Sequence, residues 1–307
     1  MIRVSAVLNT ESGSLKDCDP AALEKRLVAA LDGPRFELVG VHRTDRPIDA
    51  VLEEAVAEDS DCLLVGGGDG SVSAAAALAW RTGKVLAVLP GGTMNLYART
   101  LGMPLELDEA IDALPALAER RVDLATIDGT PFIHQFTVGL HADAVQLRQR
   151  SGHGSWLGSR VGKLLATTRA FAAVILSPPT FPVELEGDGV EGGRRRLSAL
   201  SVSNNLFGEG HIPYADESDG GRLGLYCAEP LKPWTAARLM GDVMLGRFDS
   251  NENVGIRSAT RIELRFPDPR RPARALLDGE LVDVERRIEI RLHAAALRVL
   301  RPAGEAS

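Results

Sequence analysis

Two glycine-rich segments hold the residues best suited to chemistry. The first is Leu63-Leu64-Val65-Gly66-Gly67-Gly68-Asp69-Gly70-Ser71, an apolar run that ends in a loop where four of five residues are glycine. Glycine tolerates positive φ and lets the backbone approach a ligand closely. A helix starting after the loop offers unpaired N–H groups and a positive dipole end, which suits a phosphate. The second segment, Pro90-Gly91-Gly92-Thr93-Met94-Asn95, follows the next apolar run. A Walker-type site is excluded, because Gly162-Lys163 is followed by Leu164 and not by Ser or Thr. Phosphate would then be held by main-chain amides and hydroxyls. The six histidines show no zinc spacing, and His141, His153 and His211 read as loop or turn residues. Cys18, Cys62 and Cys227 form no CxxC pair, which fits a reducing cytosol without disulfides or structural zinc.

Alternating elements must position these segments. Val4 to Leu8 reads as a buried strand, followed by the polar turn Asn9 to Ser14. Asp19-Pro20 reads as the cap and first residue of a helix to Leu31. Phe36 to His42, Cys62 to Val65 and Val85 to Leu89 read as further strands, with helices over Pro47 to Glu58 and Ser73 to Trp80. Continuous apolar strands alternating with helices predict a parallel sheet covered on both faces. Ligands of such sheets bind at the carboxyl ends of the strands. Asn9 to Ser14, His42 to Asp45, Gly66 to Ser71 and Pro90 to Asn95 all fall at those ends, so one pocket could collect them.

The pattern changes after a helix predicted over Asp108 to Arg120. Arg121 to Ile127 and Phe132 to Val138 alternate like paired strands about an Asp128-Gly129 turn, and most of the remaining chain is strand-like. The exceptions are helices over Ser155 to Ile175 and Pro233 to Leu245, and a polar loop over Gly187 to Arg196. The boundary is placed at residue 125. Residues 1–125 are expected to form an α/β domain, and residues 126–307 an antiparallel, β-rich domain whose C-terminal segment could return to the first. The tail after Pro302 is expected to fray.

Composition narrows the partners. Hydrophobic residues are 45% and charged residues 25%, as in ordinary globular proteins. A net charge of −7 argues against nucleic acid and against broad adhesion to anionic membrane. No run of about 18 apolar residues is present, so no membrane span is predicted. The Trp156 to Leu176 stretch, with Arg160, Lys163 and Arg169, could touch a bilayer, although a buried core helix reads the same way.

Taken as a set, Gly67-Gly68-Asp69-Gly70-Ser71, Pro90 to Arg99, Val138-Gly139-Leu140-His141-Ala142-Asp143, Ser203-Asn204-Asn205 and Leu277-Asp278-Gly279-Glu280 resemble the diacylglycerol kinase catalytic-domain family. That family includes bacterial lipid kinases and sphingosine kinases. The resemblance implies a nucleotide-binding first domain, residues 1–125, like that of NAD kinase and phosphofructokinase, a β-sandwich second domain, residues 126–307, that closes the cleft, and transfer of the ATP γ-phosphate to a lipid hydroxyl. It implies nucleotide contacts from Asn9, Thr10, Thr44, Gly66, Gly67, Gly68, Asp69, Gly70, Ser71, Gly92, Thr93 and Asn95. Arg99 and Lys84 could supplement these contacts. Ser71 replaces the commoner threonine and keeps the hydroxyl.

The same resemblance supplies the base and the metal. Bacterial members point to Glu280 as proton acceptor, whereas sphingosine kinases point to Asp69. An Asp278-Gly279 hairpin turn explains those two residues but leaves Glu280 unexplained, which favours Glu280 as base and Asp69 as organiser of metal or phosphate. Ala215 to Leu223 resembles the family's Mg²⁺ segment and implies Asp219 as a ligand, with Asp216 the second candidate, although an extra glycine at Gly220-Gly221 puts the register off by one. Implied partners are ATP and a diacylglycerol-like lipid, met from the cytoplasm with transient peripheral contact at the inner membrane face; a homodimer is left open. Two rival readings are an NAD kinase- or phosphofructokinase-like enzyme, and a nucleotide- or lipid-binding regulator without turnover.

Overall fold

The computed structural model describes residues 1–44, 46–152, 160–248, 251–268 and 274–303. Asp45, His153, Trp156 and residues 304–307 lie outside them, as do the side chains of residues 151–167. In chain order the first elements are β1 (Ile2–Leu8), α1 (Pro20–Leu31), β2 (Phe36–Arg43), α2 (Ile48–Ala57), β3 (Cys62–Gly67), α3 (Asp69–Thr82), β4 (Val85–Pro90), α4 (Leu96–Thr100) and α5 (Leu107–Ala113). Then come β5 (Ala118–Ile127), β6 (Thr130–Phe132), β7 (Gln135–Gly139), α6 (Leu140–Gly152), α7 (Arg160–Leu176), β8 (Phe181–Gly187), β9 (Val190–Leu197), β10 (Ala199–Ser203) and β11 (Leu223–Ala228). The last are α8 (Pro233–Met244), β12 (Val254–Ala259), β13 (Arg261–Arg265), β14 (Arg274–Leu277), β15 (Glu280–Asp283) and β16 (Arg287–Arg301).

Strands β2, β1, β3 and β4 lie side by side and parallel. Every residue of β3 and β4 is buried, as a central strand covered on both faces requires. Asp19 Oδ1 accepts from Ala21 N at 3.2 Å and caps α1 ahead of Pro20, as expected. A second, antiparallel sheet runs β12-β11-β10-β7-β14-β15. Between it and the β8, β13 and β16 end of the first sheet lies a separate core built on Phe136, Phe181, Leu200, Leu264 and Ile290. Fully burying each such side chain is worth about 1.5–3 kcal/mol.

Strand β16 ties the two cores. Its first half pairs antiparallel with β13, and its last residues lie beside β4, where Val299 pairs with Leu86. Leu297, Val299 and Leu300 thereby join the core of the first sheet.

Several elements depart from the sequence reading. The helix expected to run to Arg120 stops at Ala113, ahead of Pro115, and β5 begins at Ala118. The predicted polar loop of residues 187–196 is mostly β9, an edge strand with an almost wholly exposed face. Charged edge strands discourage pairing with other chains, which makes them look like loops in sequence. Helix α6 was not expected, and it places His141 in its first turn. Among the described residues no helix is long and apolar enough to cross a membrane.

Asp123 on β5 holds the junction. It is 2% exposed, and its carboxylate accepts from Asn205 Nδ2 at 2.7 Å, Gly221 N at 2.7 Å and Ala295 N at 2.9 Å. Ala295 sits at φ 51° in the bulge that lets β16 pass from one core to the other. Asp123→Ala would strand three donors and should lower unfolding free energy by about 3 kcal/mol. Urea denaturation measures this, and an unchanged midpoint would remove Asp123 from the junction.

Candidate active site

The glycine-rich stretch is tighter than a loop. Gly66 and Gly67 belong to β3, and Asp69 and Gly70 to α3, so Gly68 alone joins strand to helix. Gly68 has φ −81° and none of Gly66, Gly67, Gly70, Gly91 or Gly92 has positive φ, so backbone freedom is not what they supply. They are there for proximity. A Cβ on Gly92 would lie 2.6 Å from Gly68 Cα, and one on Gly91 would lie 3.0 Å from Gly67 N. The two glycine segments pack backbone against backbone. A Cβ on Gly67 would meet Ser71 Cβ at 2.7 Å, whereas one on Gly68 meets nothing closer than 3.6 Å. Gly68 therefore faces the open side of the joint.

Side chains lock this packing. Asp69 Oδ1 accepts from Leu96 N at 2.6 Å, so the carboxylate at the start of α3 also caps α4. Asn95, at φ 51°, accepts from Gly92 N at 2.8 Å through Oδ1 and donates to Gly92 O at 3.0 Å through Nδ2. Asn9 Nδ2 donates to Ser71 Oγ at 2.8 Å. Thr44 Oγ1 accepts from Thr10 N and donates to Asn9 Oδ1, both at 3.1 Å. Four strand ends are thus joined into one polar floor, as their order predicted. Thr93 is exposed beside it. Arg99 Nε donates to Met94 O at 2.9 Å and braces the second segment. Lys84 is elsewhere: it precedes β4 at its amino end and donates to Ser60 Oγ at 2.9 Å.

The β14–β15 hairpin closes over this floor. Asp278 at φ 46° and Gly279 at φ 89° form its two-residue turn, as expected. The turn does not exhaust the role of Asp278. Its carboxylate accepts from Ser73 Oγ at 2.6 Å, Ile133 N at 2.9 Å, His134 N at 2.9 Å and Gln135 N at 3.0 Å. One side chain thereby pins the hairpin to α3 and to the entry of β7. Burial pushes the Asp278 carboxyl up, and these four donors pull it back. Glu280, the next residue but one, is exposed, and its Oε1 lies 3.7 Å from where a Cβ of Gly70 would stand. The hairpin therefore delivers Glu280 to the first turn of α3, beside Asp69.

Beside this point opens a cavity of about 310 Å³. Met94 of the second glycine segment and Leu96 of α4 line it together with Leu140, Phe171, Leu200, Leu239, Met240 and Phe248. Its few polar groups are local: Ser201 Oγ donates to Gln135 Oε1 at 2.9 Å and lies 3.0 Å from Thr137 Oγ1. His134 also lines it, 5.4 Å from Phe207 ring to ring. Loss of solvation pushes the His134 imidazole down to about 4 despite the nearby Asp69 carboxylate, so the ring is neutral at pH 7.

The residues proposed for a metal are less engaged with this centre. Asp216 is exposed and its Oδ1 lies 2.9 Å from His211 Nε2, while Asp219 is exposed on the loop that Gly221 ties to Asp123. Among the described residues no group of three His, Cys, Asp or Glu side chains converges as a metal cluster. Asp123, His134 and the clip made by Asp278 escaped the sequence reading, since their partners lie far away along the chain.

Residues 3–127 match the diacylglycerol kinase catalytic domain. "Probable lipid kinase YegS-like" of Pseudomonas aeruginosa is 30% identical over 262 residues, covering 83% of this chain and 81% of that protein. The chain belongs to the diacylglycerol kinase catalytic-domain family. A Pseudomonas fluorescens relative of the same name is 30% identical over 213 residues, 65% of this chain and 66% of its own. A diacylglycerol kinase crystal structure from Bacillus anthracis superposes with a TM-score of 0.68 at 19% identity, over 99% of this chain and 98% of that one, which extends the shared fold to both sheets. Kinase-family membership fits a helix N-terminus, two glycine segments and a carboxylate meeting at one point.

The depressed His134 pKa makes stability depend on pH. The unfolded imidazole takes its proton near 6.5 and the folded one near 4. Between these values the unfolded state holds more protons, so stability should fall as pH drops from about 6.5 to about 4 and be flat above. The loss is at most roughly 3 kcal/mol. His134→Gln should remove that part of the slope in urea denaturation; an identical slope would mean the ring is solvated.

Proposed function

We propose that this chain is an ATP-dependent lipid kinase that transfers the γ-phosphate to the hydroxyl of a diacylglycerol-like lipid. The observation that carries this reading is an apolar cavity lined by Leu96, whose N donates to Asp69 at the start of α3, and by His134, whose N donates to Asp278 in the turn that brings Glu280 to Gly70. The first unit, residues 1–125, would bind the nucleotide, and residues 126–307 would hold the acceptor. The triphosphate would lie on the open side of Gly68, with Gly66 to Ser71, Gly92, Thr93 and Asn95 around it and Asn9, Thr10 and Thr44 holding the floor beneath. A Cβ at Gly68 would meet only ordinary contact there, which leaves room for a ligand.

The acceptor would place its acyl chain in the cavity and its hydroxyl at the mouth, near Glu280 and neutral His134. A cavity lined almost wholly by apolar side chains suits a lipid better than NAD or a sugar phosphate. Glu280 takes the hydroxyl proton as the acceptor oxygen bonds to the γ-phosphorus, and the bond to the β-phosphate oxygen breaks, leaving ADP. A Mg²⁺ ion accompanying the triphosphate needs only one or two protein carboxylates. Asp69 on the phosphate-binding turn meets that demand, and the ion would neutralise phosphate charge. Asp216 is already paired with His211, which leaves Asp219 as the ligand on that loop. The acceptor would come from the inner face of a membrane that the protein meets from the cytoplasm.

Glu280→Gln should keep ATP affinity and reduce turnover by about 10²–10⁴-fold, the usual contribution of a positioned base. Gly68→Val should instead fold normally and lose ATP binding. Isothermal titration with ATP and labelled-phosphate transfer read the two separately. Full turnover in Glu280→Gln, or wild-type ATP affinity in Gly68→Val, would overturn the assignment.

A further inference from the structure

Helix α8 has two apolar faces where a globular helix needs one. Its inner face, Ala236, Leu239, Met240 and Val243, packs into a cluster shared with Phe171 and Val174 of α7. Leu239, Met240 and Val243 also wall the apolar cavity. The opposite stripe, at i, i+4, i+7 and i+11, reads Trp234, Arg238, Gly241 and Leu245, and all four are exposed. Trp234 is 81% exposed and Leu245 is 60% exposed. Exposed Lys232 caps the helix N-terminus.

Helix α7, packed against α8, shows the same composition on its outer side. Arg169, Ala172, Ala173 and Leu176 stand at i, i+3, i+4 and i+7 and are exposed, Leu176 by 72%. Neither stripe carries a carboxylate. Asp242, the nearest acid on α8, is half-buried and engaged by Arg238 at 3.7 Å and Asn251 Nδ2 at 2.6 Å. Single exposed apolar residues are ordinary, but a Trp, two Leu and three cations on adjoining helices form a patch.

We propose that the outer stripe of α8, with the exposed end of α7, is the surface that lies on an anionic lipid bilayer. The proposal rests on reading the cavity as the acceptor site. Indole rings favour the boundary between headgroups and acyl chains. Lys and Arg beside them are drawn to anionic headgroups, each by an amount that falls within a Debye length. The chain as a whole carries a net charge of −7 and is repelled by the same surface, so the local cationic face sets the orientation. Continuity with the cavity selects a bilayer over a protein. Met244 is 62% exposed and Met94 43% exposed, and both line the cavity, so an acyl chain leaving the bilayer beside α8 finds an apolar path inward.

Co-sedimentation of the full chain with vesicles of phosphatidylcholine and phosphatidylglycerol tests this. Wild type should bind, and the double variant Trp234→Ser, Leu245→Ser should bind about a hundredfold more weakly, since each removes a side chain worth about one decade when buried. Arg238→Glu should weaken binding to the mixed vesicles and not to phosphatidylcholine alone. Unchanged thermal unfolding would certify the fold, as these side chains are outside the cavity lining. No vesicle binding by wild type, or equal binding by the double variant, would overturn the proposal. So would a solution dimer that the double variant dissociates, because a second copy would then cover the stripe. Vesicle binding is read without any phosphate transfer, so it decides the docking face whether or not the acceptor reading stands.

Discussion

The close approach of two backbones is the constraint on which everything else depends. β3 and β4 run parallel and fully buried; β3 ends in Gly67, and β4 ends at Pro90 just ahead of Gly91. Their ends touch: Gly91 N donates to Gly67 O at 2.9 Å, and side chains at Gly91 or Gly92 would strike the neighbouring segment. Because no side chain intervenes, α3 can begin one residue after its strand. The free amides of its first turn then point out of the same floor that holds Asn95, Asn9 and Thr44. Such an arrangement suits an anion without needing a lysine. Asp69 adds to it by tying the two segments through Leu96 N.

The second half of the chain sets an apolar cavity beside this floor. Asp278 is the part that couples them. With one carboxylate it holds Ser73 of α3 and three successive amides that lead into β7, the strand whose Gln135 and Thr137 line the cavity. The hairpin carrying Asp278 also carries Glu280, so the clip that fixes the turn also fixes the distance from Glu280 to the helix. Asp123 does the corresponding work at the junction of the two cores, through Asn205, Gly221 and Ala295. Buried carboxylates met by several donors hold only one geometry, because any shift leaves a donor unpaired.

Much of the first unit was legible in the sequence because its signals are local. Apolar runs such as Cys62 to Val65 must be buried strands, and Asp19-Pro20 can only start a helix. The gathering of four turns at one edge follows from parallel topology, so Asn9, Thr44, Ser71 and Asn95 were expected to meet and do. The motif set also pointed to the family. What was not legible depends on contacts across long stretches of chain. Asp278 looked fully accounted for by its turn, since nothing near it in sequence announces the amides of Ile133 to Gln135. The glycines were expected to allow positive φ and close approach of the backbone to a ligand; none adopts positive φ, and the closeness seen is that of one glycine segment to the other, where Gly92 packs on Gly68. Polar β9 looked like a loop because an edge strand needs no alternation, and the cavity is assembled from α6, α7, α8 and the second sheet, whose apolar residues read simply as core.

The central claim is that the cavity selects a lipid hydroxyl for phosphate transfer at Glu280. Its most direct test is incubation of the full chain with γ-labelled ATP and Mg²⁺, with a panel of lipids in mixed micelles and NAD and fructose 6-phosphate as soluble acceptors. Label in a diacylglycerol-like lipid, and none in the soluble acceptors, is the predicted result. Label in NAD or in the sugar phosphate, or ATP binding with no transfer to any lipid, would contradict the account.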